Sequence, residues 1–296
     1  MASWSSTNAR PHQLIMTNSK NISISCEFFP PRTDEGRENW RTALKDLATI
    51  QPEYFSCTYG AGGTTQDGTR EILQEILDAG FSAAAHITCI GSTHDKIRNL
   101  LASYKSMGVD RLVALRGDLP EGMVDPGEFH YANELVSFIR EETGNDFHIE
   151  VAAYPEKHPE SDFFQTDFQH FVSKAKAGAD SAITQFFFNT EAYYRFLEDC
   201  LKANLDIPVI PGILPITNYT QLARFANGCG AEIPRWLATR LEGFGDDIES
   251  IRDYGFDVTL DLCEQLIAIG APGLHFYSIN RAQPTVDLCQ EIKKNT

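Results

Sequence analysis

No run of apolar residues in this 296-residue chain approaches the roughly 18 that a membrane-crossing helix needs. The first twenty residues lack both an apolar core and a small-residue cleavage site. They read as a loosely ordered lead-in, residues 1–20, and not as a secretory signal. Positive charge is scarce: 25 Lys and Arg face 41 Asp and Glu, for a net charge of −16. A surface of that sign repels nucleic acid and anionic membrane alike, so neither is expected as a partner. The seven cysteines are an odd number and no CxxC joins any two, which speaks against a disulfide framework and against a zinc ribbon. They read as buried thiols of a cytoplasmic protein. HxH and HExxH are missing and the eight histidines are dispersed, so no metal site is expected.

Hydrophobic residues make up 42% of the chain, ample for a large core. Short apolar runs alternate with amphipathic ones. The strand-like runs are Ile22–Phe28, Tyr54–Thr58, Ala83–Thr88, Arg111–Leu115, His148–Ala153, Ser181–Phe187, Val209–Leu214 and Leu274–Tyr277. Helical periodicity fills the intervals, and before the last strand there is room for two further helices, near 234–241 and 247–269. Positions near the strand ends mostly recur at about 30 residues, the length of one βα unit. Eight such units predict a single α/β (β/α)₈ TIM barrel over residues 21–296, with extra helices before the last strand. An open doubly wound sheet is disfavoured because no GxGxxG opens a βα turn. The Gly-rich stretch from Gly60 reads equally as a ligand-approaching loop or a plain tight turn.

In such barrels the chemistry sits at the C-terminal strand ends. Those ends read Glu27, Thr58, His86, Arg116-Gly117-Asp118, Tyr154, Gln185 and, beyond the last strand, Arg281. Seven polar ends of eight suggest a large polar ligand across the mouth. In the first strand Ile24, Cys26 and Phe28 share one face, while Ser25 and Glu27 share the other. The apolar face belongs under the helices, so Glu27 points into the barrel. Desolvation there would raise its pKa and make it a general acid, against the alternative of a glutamate paired with a neighbouring arginine. No strand carries a lysine, which argues against Schiff-base chemistry. Glu27 with Asp118 leaves open a cofactor-free hydrolase that uses two carboxylates.

Seven segments occur in order along the chain: SCEFFPPR from Ser25, TYGA from Thr58, HITC from His86, LRGDLP from Leu115, AYPE from Ala153, ITQFFF from Ile183 and PGILP from Pro211. Together they resemble the short, bacterial-type methylenetetrahydrofolate reductase family from about Ile22 to Arg281. The resemblance implies a (β/α)₈ barrel holding non-covalent FAD and reducing 5,10-methylenetetrahydrofolate to 5-methyltetrahydrofolate. NADH or NADPH would be the donor, in a ping-pong relay through flavin N5. A non-catalytic barrel subunit of a larger reductase is the other reading. The resemblance places Glu27 as the acid that opens the folate ring and Asp118 as the carboxylate beside flavin and pterin. Thr58, His86, Arg116, Gly117, Asp118, Tyr131, Tyr154, His158, Asp167 and Lys174 would hold FAD, with Arg116 and Lys174 suited to its pyrophosphate. Gln185, Gln221, Phe225, Tyr277 and Arg281 would contact the folate, although Phe225 also reads as a core residue of an amphipathic helix. The family leads one to expect a homo-oligomer. It also leads one to expect no S-adenosylmethionine-binding regulatory domain, because the chain stops after its eighth barrel helix.

Overall fold

The computed structural model describes residues 22–59, 66–118 and 127–295. The lead-in 1–20 and the Gly-rich stretch 60–65 lie outside the described residues. Nine strands form one sheet: β1 (Ser23–Phe28), β2 (Tyr54–Cys57), β3 (Ser82–Thr88), β4 (Arg111–Leu115), β5 (His148–Ala153), β6 (Ser181–Thr184), β7 (Val209–Ile210), β8 (Gly212–Ile213) and β9 (Gly273–Tyr277). All pairings are parallel, in the order β7-β6-β5-β4-β3-β2-β1-β9-β8. The two ends of that order, β7 and β8, are halves of one segment split at Pro211, which has no N–H to give the ladder. The sheet therefore closes on itself as eight staves, the number expected from the sequence.

The helices are α1 (Asp34–Ala48), α2 (Gln66–Asp78), α3 (His94–Met107), α4 (Ala132–Thr143), α5 (Phe164–Lys176), α6 (Thr190–Lys202), α7 (Tyr219–Cys229), α8 (Arg235–Gly243), α9 (Ile248–Ile269) and α10 (Gln283–Asn295). α8 and α9 are the extra helices anticipated before the last strand. Local signals set several of the ends. Thr33, Thr93, Asn189 and Asn218 each accept a backbone N–H at a helix start, and Gly108 ends α3 in the left-handed conformation at φ +89°.

Strand alternation divides the interior into two layers. Ile24, Cys26 and Phe28 join the large apolar core between sheet and helices, as their parity requires. All seven cysteines are free thiols and six are buried. Inside the barrel a small apolar cluster of Tyr54, Ala84, Val113 and Ile183 shares the space with buried Ser25, Glu150, Ser181 and His275. A third cluster, built on Phe186, Leu214, Leu222, Leu237 and Ile251, fastens α7, α8 and the start of α9 beside the mouth. β6 is shorter than its apolar run predicts. β7 offers it two residues only, so Phe186, Phe187 and Phe188 leave the ladder and bury themselves in the following loop. No described helix is long and apolar enough to cross a membrane.

Candidate active site

β1 delivers Glu27 to the mouth with the side chain turned inward and about one fifth exposed. Two imidazoles aim at one of its oxygens: His86 Nε2 stands 3.3 Å from Glu27 Oε2, and His275 Nε2 stands 3.8 Å from it. His275 is held from behind, its Nδ1 lying 2.8 Å from Ser25 Oγ. The Ser278 hydroxyl donates to the Glu27 carbonyl at 2.6 Å and pins the strand end. Burial alone pushes the Glu27 carboxyl up, but His275 and His86, through hydrogen bonding and charge, outweigh it and bring the pKa down to about 2. This corrects the expectation of a raised value. Glu27 here is a carboxylate, and the arginine partner considered as an alternative is replaced by two histidines.

Further strand ends supply the remaining groups. Thr58 follows β2, and its buried Oγ1 has no hydrogen-bond partner among the described residues; Nε2 of His86 and of His275 are buried too and have only their long contacts to Glu27. Buried polar atoms without partners are uncommon and are satisfied when a ligand brings the partner. Gly117 follows β4 at φ +84°, and a Cβ there would lie 2.9 Å from Thr88 Cβ, so the turn that presents Arg116 and Asp118 needs glycine. Asp118 is exposed at the edge of the described residues. Arg116 pairs with Glu160 at 2.5 Å and also donates to the Gly117 carbonyl at 3.2 Å.

Around β5 and α5, Tyr154 packs edge-on against His158 at 4.7 Å, and Asp167 accepts the His158 backbone N–H at 2.9 Å. Lys174 turns its ammonium inward to the Ala152 carbonyl. Burial lowers its pKa to about 8, against an opposing pull from Asp167. Both cations suited to a pyrophosphate are thus already engaged, Arg116 by an exposed acid and Lys174 by a carbonyl. Tyr131 caps α4 and lies exposed, its ring stacked on His170 at 5.8 Å.

On the other side, the Tyr277 hydroxyl donates to the Thr184 carbonyl at 2.7 Å, and the Gln185 side-chain oxygen accepts the Phe186 N–H at 3.0 Å. Gln221 sits in the first turn of α7. Phe225 is half-buried on that helix against the third cluster, so it has both a packed edge and a reachable one. Arg281 is exposed in the loop after β9.

The sheet order sorts these residues into two groups. Arg116, Tyr154, His158, Asp167 and Lys174 belong to β4, β5 and the segments that follow them, whereas Gln221, Phe225, Tyr277 and Arg281 belong to the β8–β9 side. β1, carrying Glu27, lies between them, with His86 and His275 contributed from either side. His275 escaped the sequence reading. The signal was present in β9, where Leu274 and Phe276 face the helices and leave His275 and Tyr277 pointing inward.

A closed parallel barrel with an inward carboxylate flanked by two histidines, and with orphaned polar atoms at its strand ends, defines a (β/α)₈ enzyme built to hold a polar ligand across its mouth. The family model described as methylenetetrahydrofolate reductase matches residues 12–293. The 5,10-methylenetetrahydrofolate reductase of Escherichia coli (strain K12) is 40% identical over 272 residues, covering 92% of this chain and 90% of that one. The enzyme of the same name from Buchnera aphidicola subsp. Acyrthosiphon pisum is 38% identical over 94% of this chain and 96% of its own. Among solved structures, an uncharacterized protein from Clostridium thermocellum that binds two copies of 5-methyl-5,6,7,8-tetrahydrofolic acid superposes with a TM-score of 0.67. At 20% identity, over 93% of this chain and 96% of that one, it shows the shared fold. The chain belongs to the methylenetetrahydrofolate reductase family. Its activity is the reduction of methylenetetrahydrofolate to methyltetrahydrofolate, the flavoprotein step of one-carbon metabolism that serves methionine biosynthesis.

Proposed function

We propose that this enzyme works in two stages at one mouth, a nicotinamide nucleotide first and the folate second, with non-covalent FAD between them and Glu27 as the proton donor. FAD held there would supply the hydride chemistry that links NADH or NADPH to the one-carbon unit. The unpartnered Thr58 Oγ1 and the loosely held His86 Nε2 fit a ligand that brings its own polar atoms to the strand ends. Thr58, His86, Arg116, Gly117, Asp118, Tyr131, Tyr154, His158, Asp167 and Lys174 would hold that cofactor. Its pyrophosphate would draw Arg116 away from Glu160, because a bidentate guanidinium–phosphate contact is stronger than an exposed ion pair.

The folate carbon accepts hydride only after its five-membered ring opens, and ring opening needs a proton on N10. The position of Glu27 between the two groups of residues carries this reading. Both imidazole contacts that hold it as a carboxylate are long, 3.3 and 3.8 Å. A pterin that displaces water and either ring leaves burial as the prevailing influence, and burial favours the protonated acid. Asp118 would accept pterin N–H donors and favour the cationic open form. Gln185 and Tyr277 would face the pterin, with Gln221, Phe225 and Arg281 along the rest of the folate. The same family membership suggests a homo-oligomer, which light scattering on the purified protein checks.

The purified protein is expected to be yellow, to bleach with NADH or NADPH under anaerobic conditions, and to regain its colour with methylenetetrahydrofolate. A colourless protein that takes up no flavin would sink the relay and favour the two-carboxylate hydrolase. Bleaching without reoxidation would favour the non-catalytic subunit.

A further inference from the structure

The floor of the barrel, opposite the mouth, opens onto a line of side chains for which the two-stage scheme has no use. His148 starts β5 there, and its side chain is 36% exposed, so water reaches it. Its Nε2 lies 2.8 Å from the buried Ser181 hydroxyl, which donates to Glu150 at 3.3 Å. The Tyr54 phenol stands 2.8 Å from Glu150, and Tyr54 and Ser25 hydrogen-bond each other. Ser25 Oγ lies 2.8 Å from His275 Nδ1, and His275 Nε2 stands 3.8 Å from Glu27. Strand register builds the line: Glu150 is paired with Ser181, and Ser25 with both Tyr54 and His275. Ser56, paired with Glu27, has a buried hydroxyl with no partner among the described residues. With His275 and His86 it offers a polar seat for one water beside Glu27, enough to bridge the last and longest step.

Every link is a hydroxyl, an imidazole or a carboxylate, able to accept a proton on one side and release one on the other; lysine and arginine offer no acceptor. Glu150 is the costly member. Burying its carboxylate is expensive, and the neighbouring Ala84, Val113 and Ile183 show that the space also takes hydrocarbon. Arg111, 3.9 Å from Glu150 and 4.7 Å over the Tyr54 ring, offsets the charge and is itself held by Glu53.

We propose that this line is a proton path, carrying one proton per turnover from water at the barrel floor to Glu27 while ligands cover the mouth. The proposal rests on the folate-reductase reading above. Reduction adds a hydride and a proton to the folate, and the nicotinamide nucleotide supplies only the hydride. The proton ends on N10 as the bond from the one-carbon unit to N10 breaks, so Glu27 must be recharged in each cycle. In the open site Glu27 is a carboxylate. It takes up its proton once the pterin has displaced water, when the route through the mouth is blocked. Along the path each group receives one proton and passes on another, so water at the floor loses one and Glu27 gains one. The hydroxyls then reset by rotation and the imidazoles by tautomer exchange.

The test follows both half-reactions of the flavin-loaded enzyme by stopped flow, in light and heavy water, for the wild type, His148→Ala and Ser181→Ala. An indicator dye records proton uptake, and flavin content and thermal midpoint serve as folding controls. Reoxidation by methylenetetrahydrofolate should slow by about threefold to tenfold in either variant, with a larger solvent isotope effect and a matching lag in proton uptake. Reduction by NADH or NADPH, which needs no proton from Glu27, should change by less than about twofold. Imidazole in the buffer should restore His148→Ala and leave Ser181→Ala slow, because it can replace only the link that water reaches. Wild-type reoxidation rates and isotope effects in both variants would overturn the path and leave Glu27 as an acid recharged through the mouth. Slowing that spares the isotope effect and does not respond to imidazole would overturn it too, as the mark of a merely structural line. A wild type that the folate never reoxidises would overturn the path and the reductase reading together.

Discussion

The phenol of Tyr54 stands 2.8 Å from both carboxylate oxygens of Glu150, in the closed interior of the barrel. Glu150 is fully buried; its other contacts are the Ser181 hydroxyl at 3.3 Å and, more loosely, Arg111 at 3.9 Å and His148 Nε2 at 4.0 Å. Ser25 also hydrogen-bonds Tyr54, and Ser25 in turn holds His275. A polar chain thus runs from the middle of the barrel to the carboxylate at its mouth.

Removing the hydroxyl by Tyr54→Phe leaves a buried carboxylate with one long hydrogen bond and two more distant neighbours, Arg111 and His148. The expected cost is about 2–4 kcal/mol of folding stability. Urea denaturation checks this, and Glu150→Gln should cost less because it removes the charge along with the partner. A loss below about 0.5 kcal/mol would mean that water replaces the phenol.

Ser25 touches neither ligand in the proposed scheme, so Ser25→Ala reaches the mouth through the orientation of His275. Reoxidation by methylenetetrahydrofolate should slow by about tenfold, as for a lost supporting hydrogen bond. Reduction by the nicotinamide nucleotide should change by less than about twofold. Equal slowing of both half-reactions would point to a general loss of structure.

Glu27→Gln should leave flavin reduction largely intact while lowering the folate half-reaction by about 10²–10⁴, the usual contribution of a positioned acid. The same variant has a signature in stability. The folded carboxyl titrates near 2, below its ordinary value, so it stabilises the fold above the unfolded pKa, and that share is lost as pH falls from about 5 toward 2. The thermal midpoint of the wild type should therefore fall more steeply over that window than that of Glu27→Gln. Parallel curves would contradict the depressed value.

A Cβ on Gly212 would lie 2.2 Å from the Thr184 carbonyl and 2.6 Å from the Tyr277 ring. Gly212→Ala should thus push Tyr277 off that carbonyl and spread the closing stave, at a cost of about 1–3 kcal/mol. Thermal melts check the stability. A rise in folate KM without a matching change for the nucleotide would confirm the displaced ring.

The strands and helices were legible because periodicity and spacing are local. The inward turn of Glu27 came from alternation within a single strand. Its ionisation was not legible, because the two histidines that decide it arrive from β3 and β9, far off in the chain, and no local pattern couples them. Pro211 shows the same limit. Val209–Leu214 reads as one apolar run, and only the ladder on either side shows that its proline divides it into two short pairings. An arginine-lined cavity was invisible for a related reason. Arg224, Arg252 and Arg281 lie on three separate segments, α7, α9 and the loop after β9, and only the fold brings them to the wall of one cavity beside the mouth.

That seam at Pro211 gives the barrel two mechanical halves. The staves from β9 through β1 to β6 carry four or five register pairs each, while the closing stave is held by two on each side. The residues assigned to the cofactor hang from the stiff arc, and Gln221 and Phe225 hang directly downstream of the compliant one. Under the proposed scheme, in which two dissimilar guests take turns, the firm half would keep the resident partner in place and the yielding half would adjust to each visitor.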